Sequence, residues 1–343
     1  MAPDRSRYRI EGNGGILLHM SMNDAARKMA RKIEVLRDLE PTVHAMQAEH
    51  ETKRELWFPS ELLAAPEGID PDAHLKQLRE RVAGIPDAAR AALALNTLTE
   101  EGLPHFHRLL AVYLGDDSHW RNWNNLWTAE EDRHGTVLSE YMRDTNVVDQ
   151  RKMEQLKFEY IKAGFNPEWD KDPYRVFVYT TLQERATQHS HANTGRVVEE
   201  YEPLLGSILA KIAMEEARHF TFYRKVFTEI LKRDPSEALR SAAHVLPSID
   251  MPGITIPGFK DFSDVIRRSG IYGPRDYMRI VQDQLAHWRI EALEGLDEWG
   301  RKAQERMLEV PGRLKRIADI METRSRAKTF AFEVAFAREF VME

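Results

Sequence analysis

The sequence predicts an all-α protein, a four-helix bundle core with additional flanking helices, read as one domain over residues 1–343. Three observations predict it. Residues 85–114, 119–144, 150–163, 173–201 and 204–233 carry apolar residues at helical spacing. Pro86, Pro173 and Pro203 stand near helix starts, where a missing N–H costs little, and Gly115 and Gly164 stand near helix ends. Four of the apolar stripes are interrupted by carboxylates at matched places.

Taken along the chain, residues 23–54 read as one helix with several Arg and Lys on its surface. The helix at 85–114 has the stripe Leu93, Asn96, Glu100, Leu103, His107, Leu110. The helix at 119–144 runs from Trp120, Trp123 and Trp127 through Glu131 and His134 to Leu138 and Tyr141. Residues 150–163 give a further helix. Within 173–201, Val176 to Leu182 (VFVYTTL) is β-branched and aromatic, so propensity alone favours a strand there. The longer period carries Phe177, Thr180, Glu184, Thr187, His191 and Val198 on one face. The helix at 204–233 carries Leu205, Leu209, Ile212, Glu216, His219, Tyr223, Val226 and Ile230. Residues 247–275 are rich in Pro and Gly and read as a long irregular connection. Short helices resume over about 275–305 and 312–335.

Composition narrows the function classes. The 343 residues are 42% hydrophobic and 30% charged, a soluble globular balance. With no cysteine, the chain has no disulfide, iron–sulfur cluster, cysteine zinc site or cysteine nucleophile. A formal charge of −6 makes it a poor general nucleic-acid binder. No stretch approaches the ~20 apolar residues that span a bilayer. The basic start, MAPDRSRYRI, is followed only by the short apolar run Gly15 to Leu18, too short for a signal-peptide core, so the expected localisation is cytoplasmic.

The interrupted stripes carry the chemistry. On their helices, Glu100, Glu131, Glu184 and Glu216 face the side where their neighbours are apolar, and His134 and His219 follow one turn after Glu131 and Glu216. A lone buried carboxylate is very costly, so a partner must neutralise it. Two helices giving one Glu each and two giving Glu-x-x-His is the pattern of ferritin-like di-iron and di-manganese proteins. Two divalent cations balance four carboxylates, and oxygen-rich ligands with two imidazoles suit iron or manganese.

A single Glu-x-x-His decides nothing: with 34 Glu and 13 His, about one is expected by chance. The context decides. Both copies lie in the pentad Glu-Glu-x-Arg-His, at 130–134 and 215–219, and each follows an inward Glu, 31 residues from Glu100 to Glu131 and 32 from Glu184 to Glu216. The competing reading makes these exposed helix charges paired with Arg133 and Arg218, which leaves the apolar neighbours and matched spacing unexplained.

At these residues the chain resembles the soluble acyl-acyl-carrier-protein desaturases of plant plastids and some bacteria. WTAEEDRHG (127–135) resembles that family's first Glu-x-x-His helix, and MEEARH (214–219) the second. YTTLQERATQHSHANTGR (179–196) is similar to its third metal helix and TEEGLP (99–104) to the first. LWFPSELL (56–63) and LRERVAGIP (78–86) extend the likeness, which holds over roughly 50–235 and more loosely to the C-terminus.

The resemblance implies two Fe2+ ions per chain, held by Glu100, Glu131, His134, Glu184, Glu216 and His219. It places Thr187 beside the oxygen-binding face, where its hydroxyl either serves iron-bound oxygen or turns back to its own i−4 carbonyl. It implies an electron-entry path through Trp57, Glu215 and His134. The family usually has Asp at position 215 and Asn at position 132, where this chain has Glu215 and Asp132. The implied reaction is the O2-dependent insertion of a cis double bond into a saturated acyl chain on acyl carrier protein. A ferredoxin-type donor and a homodimer come with it.

Other readings stand beside this one: a di-iron hydroxylase or N-oxygenase, a ferritin-like iron-binding protein, or a metal-free helical module. His105, His107, His189 and His191 are candidates for extra ligands or, with six ligands already in place, for supporting those ligands or the cavity, and Arg133 and Arg218 for pinning carboxylates. Trp120, Trp123 and Trp127 read as core. Acidic carrier protein needs local positive charge. The candidate clusters are Arg27, Lys28, Arg31 and Lys32; Arg224 and Lys225; Lys232 and Arg233; and Arg267 and Arg268.

Overall fold

The computed structural model describes residues 22–113, 118–167, 171–247 and 252–343. Gly115 and the basic N-terminal run considered above lie outside them. The N-terminal helix is two, α1 (Met22–Asp38) and α2 (Glu40–Lys53), parted at Leu39 before Pro41. Then come α3 (Pro59–Leu63), α4 (Pro71–Val82), α5 (Asp87–Glu100) and α6 (Leu103–Ala111). The long elements follow: α7 (His119–Thr145), α8 (Gln150–Ala163), α9 (Pro173–Val198) and α10 (Pro203–Arg233). The C-terminal part holds α11 (Pro235–Val245), α12 (Phe259–Arg268), α13 (Pro274–His287), α14 (Glu298–Thr323) and a two-stranded antiparallel hairpin, β1 (Lys328–Ala331) with β2 (Glu339–Met342).

Helices α5, α7, α9 and α10 form a ferritin-like four-helix core, with α9 and α10 packed most extensively. Closeness there depends on small residues. A Cβ on Gly206 of α10 would stand 3.1 Å from Glu199 Cβ, just past the end of α9. Helix α2 lies against both α7 and α10.

The helix expected over 85–114 is two helices within the described residues, α5 and α6. Pro104 has no N–H for the Glu100 carbonyl, and its ring would collide with that carbonyl in a continuous helix. The chain therefore turns at Glu101 and Gly102. A side chain at Gly102 would strike the buried Tyr160 hydroxyl at 2.4 Å. Glu100 is thus the last helical residue of α5, buried at the core end of the turn.

VFVYTTL is helical. Asp172 caps α9 by accepting from the backbone of Tyr174 and Arg175. Thr180 and Thr181 return their hydroxyls to the carbonyls of Val176 and Phe177. The segment is buried all round, so a continuous apolar run suits a central helix, and packing overrides strand propensity.

Three C-terminal expectations are corrected. The connection at 247–275 contains α12, and α14 runs unbroken across the expected gap with Pro311 inside it. Residues 328–342, expected partly as helix, form the hairpin, whose Phe330 stands opposite Phe340. Phe332 stacks on Phe262 of α12 at 4.4 Å, so the tail earns its place by apolar burial. No helix among the described residues is long and apolar enough to cross a membrane.

Candidate metal centre

The fold brings all six expected ligands together in the bundle interior. One ligand atom each from Glu100, Glu131, His134 and Glu216 lies within 4.8 Å of the others, and the same holds for Glu131, Glu184, Glu216 and His219. All six side chains are buried. The quartets share Glu131 and Glu216, the carboxylates of the two Glu-x-x-His pairs. Glu100 and Glu184 each belong to one quartet only.

The donor set fits cations. Glu131 Oε1, His134 Nδ1, Glu184 Oε2 and His219 Nδ1 are buried with no hydrogen-bond partner. His219 Nδ1 lies 2.7 Å from Glu131 Oε1 and 3.6 Å from Glu184 Oε2. His134 Nδ1 lies 3.3 Å from both Glu131 Oε2 and Glu216 Oε1. Lone pairs that converge in a dry interior without hydrogen bonds are satisfied by positive charge between them.

Electrostatics of the metal-free chain say the same. Burial pushes the carboxyls of Glu131 and Glu184 up, and neighbouring carboxylates add to it. Burial alone would lower His134 and His219, but the surrounding carboxylates override it and hold both well above the usual imidazole range.

Three of the four carboxylates are met by a further side chain. Trp127 Nε1 donates to Glu184 Oε1 at 3.2 Å. His191 Nε2 lies 2.7 Å from Glu100 Oε1. Burial would raise the Glu100 carboxyl, but the neighbouring imidazoles of His134 and His191 outweigh it and hold the group well below the usual range. Thr187 Oγ1 donates to Glu216 Oε2 at 2.8 Å, and its i−4 carbonyl, Gln183 O, is more distant at 3.2 Å.

The histidines are held in a reciprocal cross. Glu130 on α7 meets His219 Nε2 of α10 at 2.8 Å, and Glu215 on α10 meets His134 Nε2 of α7 at 3.0 Å. A carboxylate accepting from Nε2–H leaves the Nδ1 lone pair free to face the quartet. Arg133 donates to both oxygens of Glu215, and Arg218 to Oε1. Both arginines pin carboxylates, as expected, but they pin the same one. The Trp57 indole stacks nearly parallel to the His134 ring at 6.3 Å. Trp57, Glu215 and His134 are therefore contiguous.

Of the other expected histidines, only His191 reaches the quartets. His107 Nδ1 bonds Thr128 Oγ1 at 2.8 Å, His105 packs on Tyr160 at 5.3 Å, and His189 lies in neither quartet. Trp120 and Trp123 are core, with N–H groups on Leu36 O and Tyr223 Oη. Of the basic clusters, Lys32 is buried against Asp172 and Ser241, and Arg267 and Arg268 both pair with Asp264.

Sequence reading passed over Glu130, His50 and the hydrogen bond of Trp127, whereas His191, a candidate for a supporting role, takes one at Glu100. The repeated Glu-Glu doublet was a signal for Glu130. For His50 there was none, because α2 has no apolar stripe and buries only Val43 and His50 fully.

A cavity of about 670 Å3, in the usual range for small-ligand sites, abuts the centre. Leu95, Ala186 and Thr187 line it, with Phe259, Tyr272 and Leu314 from the flanking helices. Thr187 is common to the cavity wall and the Glu216 hydrogen bond.

Comparisons with known proteins agree with this geometry. The profile of the fatty acid desaturase family matches residues 31–337. The chain is similar to a stearoyl-[acyl-carrier-protein] 9-desaturase of Gossypium hirsutum, 33% identical over 314 residues, covering 87% of this chain and 79% of the relative. It is similar to that of Olea europaea, 35% identical over 301 residues, 82% and 77% of the two chains. That of Ricinus communis is 32% identical over 326 residues, 90% and 82%. A crystal structure assigned as an acyl-ACP desaturase, DesA2 of Mycobacterium tuberculosis H37Rv, shares the fold at a TM-score of 0.58 and 21% identity, over 79% of this chain and 99% of the other.

Proposed function

The chain belongs to the fatty acid desaturase family, and on that premise we propose that it is an acyl-acyl-carrier-protein desaturase with two iron ions held by Glu100, Glu131, His134, Glu184, Glu216 and His219. Its substrate is a saturated acyl chain on acyl carrier protein, and its product carries a cis double bond. The reaction takes two hydrogens from adjacent carbons, two electrons from a ferredoxin-type donor, two protons and O2, and returns two waters. A homodimer in the cytoplasm is the expected form.

One observation carries this reading: two carboxylate–imidazole quartets share an edge beside an apolar cavity, with Thr187 on the common wall. When bound, the irons supply the redox chemistry that activates O2. The chain supplies position and dryness. Leu95, Ala186, Phe259 and Leu314 present apolar surface to an extended acyl chain and exclude water from it. Thr187 holds a hydroxyl where that chain would pass the centre. Glu130 and Glu215 fix the ring orientation of His219 and His134. Trp57, packed over His134 and beneath Arg133, gives electrons a continuous route from the edge of the bundle.

Incubation of iron-loaded protein with stearoyl- or palmitoyl-carrier protein, reduced ferredoxin and O2, followed by gas chromatography–mass spectrometry of the acyl products, tests the proposal. Monounsaturated product is expected. Hydroxylated product, or none from protein holding two irons, would overturn the desaturase reading.

A further inference from the structure

The cross between α7 and α10 is not symmetric in what stands behind it. Glu215 is held by two arginines. Glu130 is held on Oε1 by Arg54 at 3.2 Å and on Oε2 by His50 at 2.8 Å, the same oxygen that meets His219. His50 comes from α2, outside the four-helix core. Its ring stacks over His219 at 5.8 Å and meets Trp123 edge-on at 5.1 Å. It is buried, and it also lines a cavity of about 270 Å3 with Met46, Arg218 and Phe222.

We propose that His50 is a positioning residue for the Glu184/His219 half of the metal centre. The proposal rests on the two-metal reading above and adds a residue to it. Two Nε2–H groups converging on one oxygen leave Glu130 little freedom to rotate. With His50 gone, Oε2 keeps only His219, and an open cavity lies beside the vacated place. The Glu130 carboxylate can then swing, and His219 loses the bond that keeps its Nδ1 lone pair on the quartet. The His134 half has no such dependence, because Arg133 and Arg218 stay on Glu215. Residues that orient a ligand typically cost 10–100-fold in metal affinity when removed.

The test is cobalt(II) titration of chelator-stripped protein, followed by visible absorption and by metal analysis. Wild type should take two equivalents. His50→Phe keeps the ring against Trp123 without a donor. It should weaken one equivalent by about 10–100-fold and leave the other unchanged. His50→Gln, whose amide can donate to Glu130, should restore most of that loss. The weakened equivalent should be the one lost in Glu184→Ala and retained in Glu100→Ala. Two wild-type affinities in His50→Phe, or equal weakening of both without rescue by Gln, would overturn the assignment. So would a third equivalent in wild type lost in both His50 variants, which would make the trio a metal site itself. If wild type takes no cobalt, it is the two-metal reading that fails.

Discussion

Glu130 Oε2 lies 2.8 Å from His219 Nε2, joining the residue before Glu131 to the histidine of the opposite helix's Glu-x-x-His pair. With its counterpart, Glu215 to His134, it sets both imidazoles with Nδ1 inward. The Glu-Glu-x-Arg-His pentad therefore places two carboxylates, one in the quartets and one on the other helix's histidine.

Glu100 and Glu184 belong to different quartets, so their loss should be separable. Each of Glu100→Ala and Glu184→Ala should lower iron content from about two toward about one per chain and abolish turnover. Elemental analysis and the product assay check this. Wild-type iron and activity in either variant would remove that residue from the ligand set.

Stability of the metal-free chain should fall as pH rises. The raised imidazoles of His134 and His219 contribute stability that is fully present below their unfolded value and lost as pH climbs through the folded one. The raised carboxyls of Glu131 and Glu184 act in the same sense above the unfolded carboxyl value. The depressed carboxyl of Glu100 exerts its pH dependence only at lower pH. Thermal unfolding between pH 6 and pH 9 should show a steeper decline without iron than with it. A flat or rising metal-free profile would mean the carboxylates are solvated.

Thr187→Val removes the hydroxyl on Glu216 and on the cavity wall while keeping volume. Iron content should hold, stability should change by about 1 kcal/mol or less, and turnover should fall by about tenfold or more. Thr187→Ser should recover much of the rate. Full activity in the valine variant would leave Thr187 a packing residue.

Gly102→Ala forces a methyl into the Tyr160 hydroxyl and ring, whose nearest atoms would stand at 2.4, 2.7 and 2.9 Å. Overpacking of this kind costs about 1–3 kcal/mol. Because Gly102 follows Glu100 by two residues, iron affinity should fall along with the melting temperature. Unchanged values for both would show that Tyr160 moves aside freely.

Trp57→Phe should leave iron content intact and slow ferredoxin-driven turnover, since it alters the ring over His134 without touching Glu215. Stopped-flow reduction of the iron-loaded protein measures it. A wild-type reduction rate would place electron entry elsewhere.

The sequence by itself determined the helical architecture and the six converging side chains, because a polar group placed on an apolar helix face has only one direction to point. The doubled pentad and the spacings of 31 and 32 residues made that legible without coordinates. Helix ends were less legible: Pro104 breaks α5 from α6 through its effect on the Glu100 carbonyl, a clash that apolar spacing does not register. The VFVYTTL helix and the C-terminal hairpin were settled by what surrounds them. Only the tertiary structure decided which side chain meets which. His191 stood on the inward stripe of α9, but its partner Glu100 lies 91 residues away, and His50 reaches Glu130 across 80 residues from a helix with no apolar stripe; local periodicity names no partner at such distances.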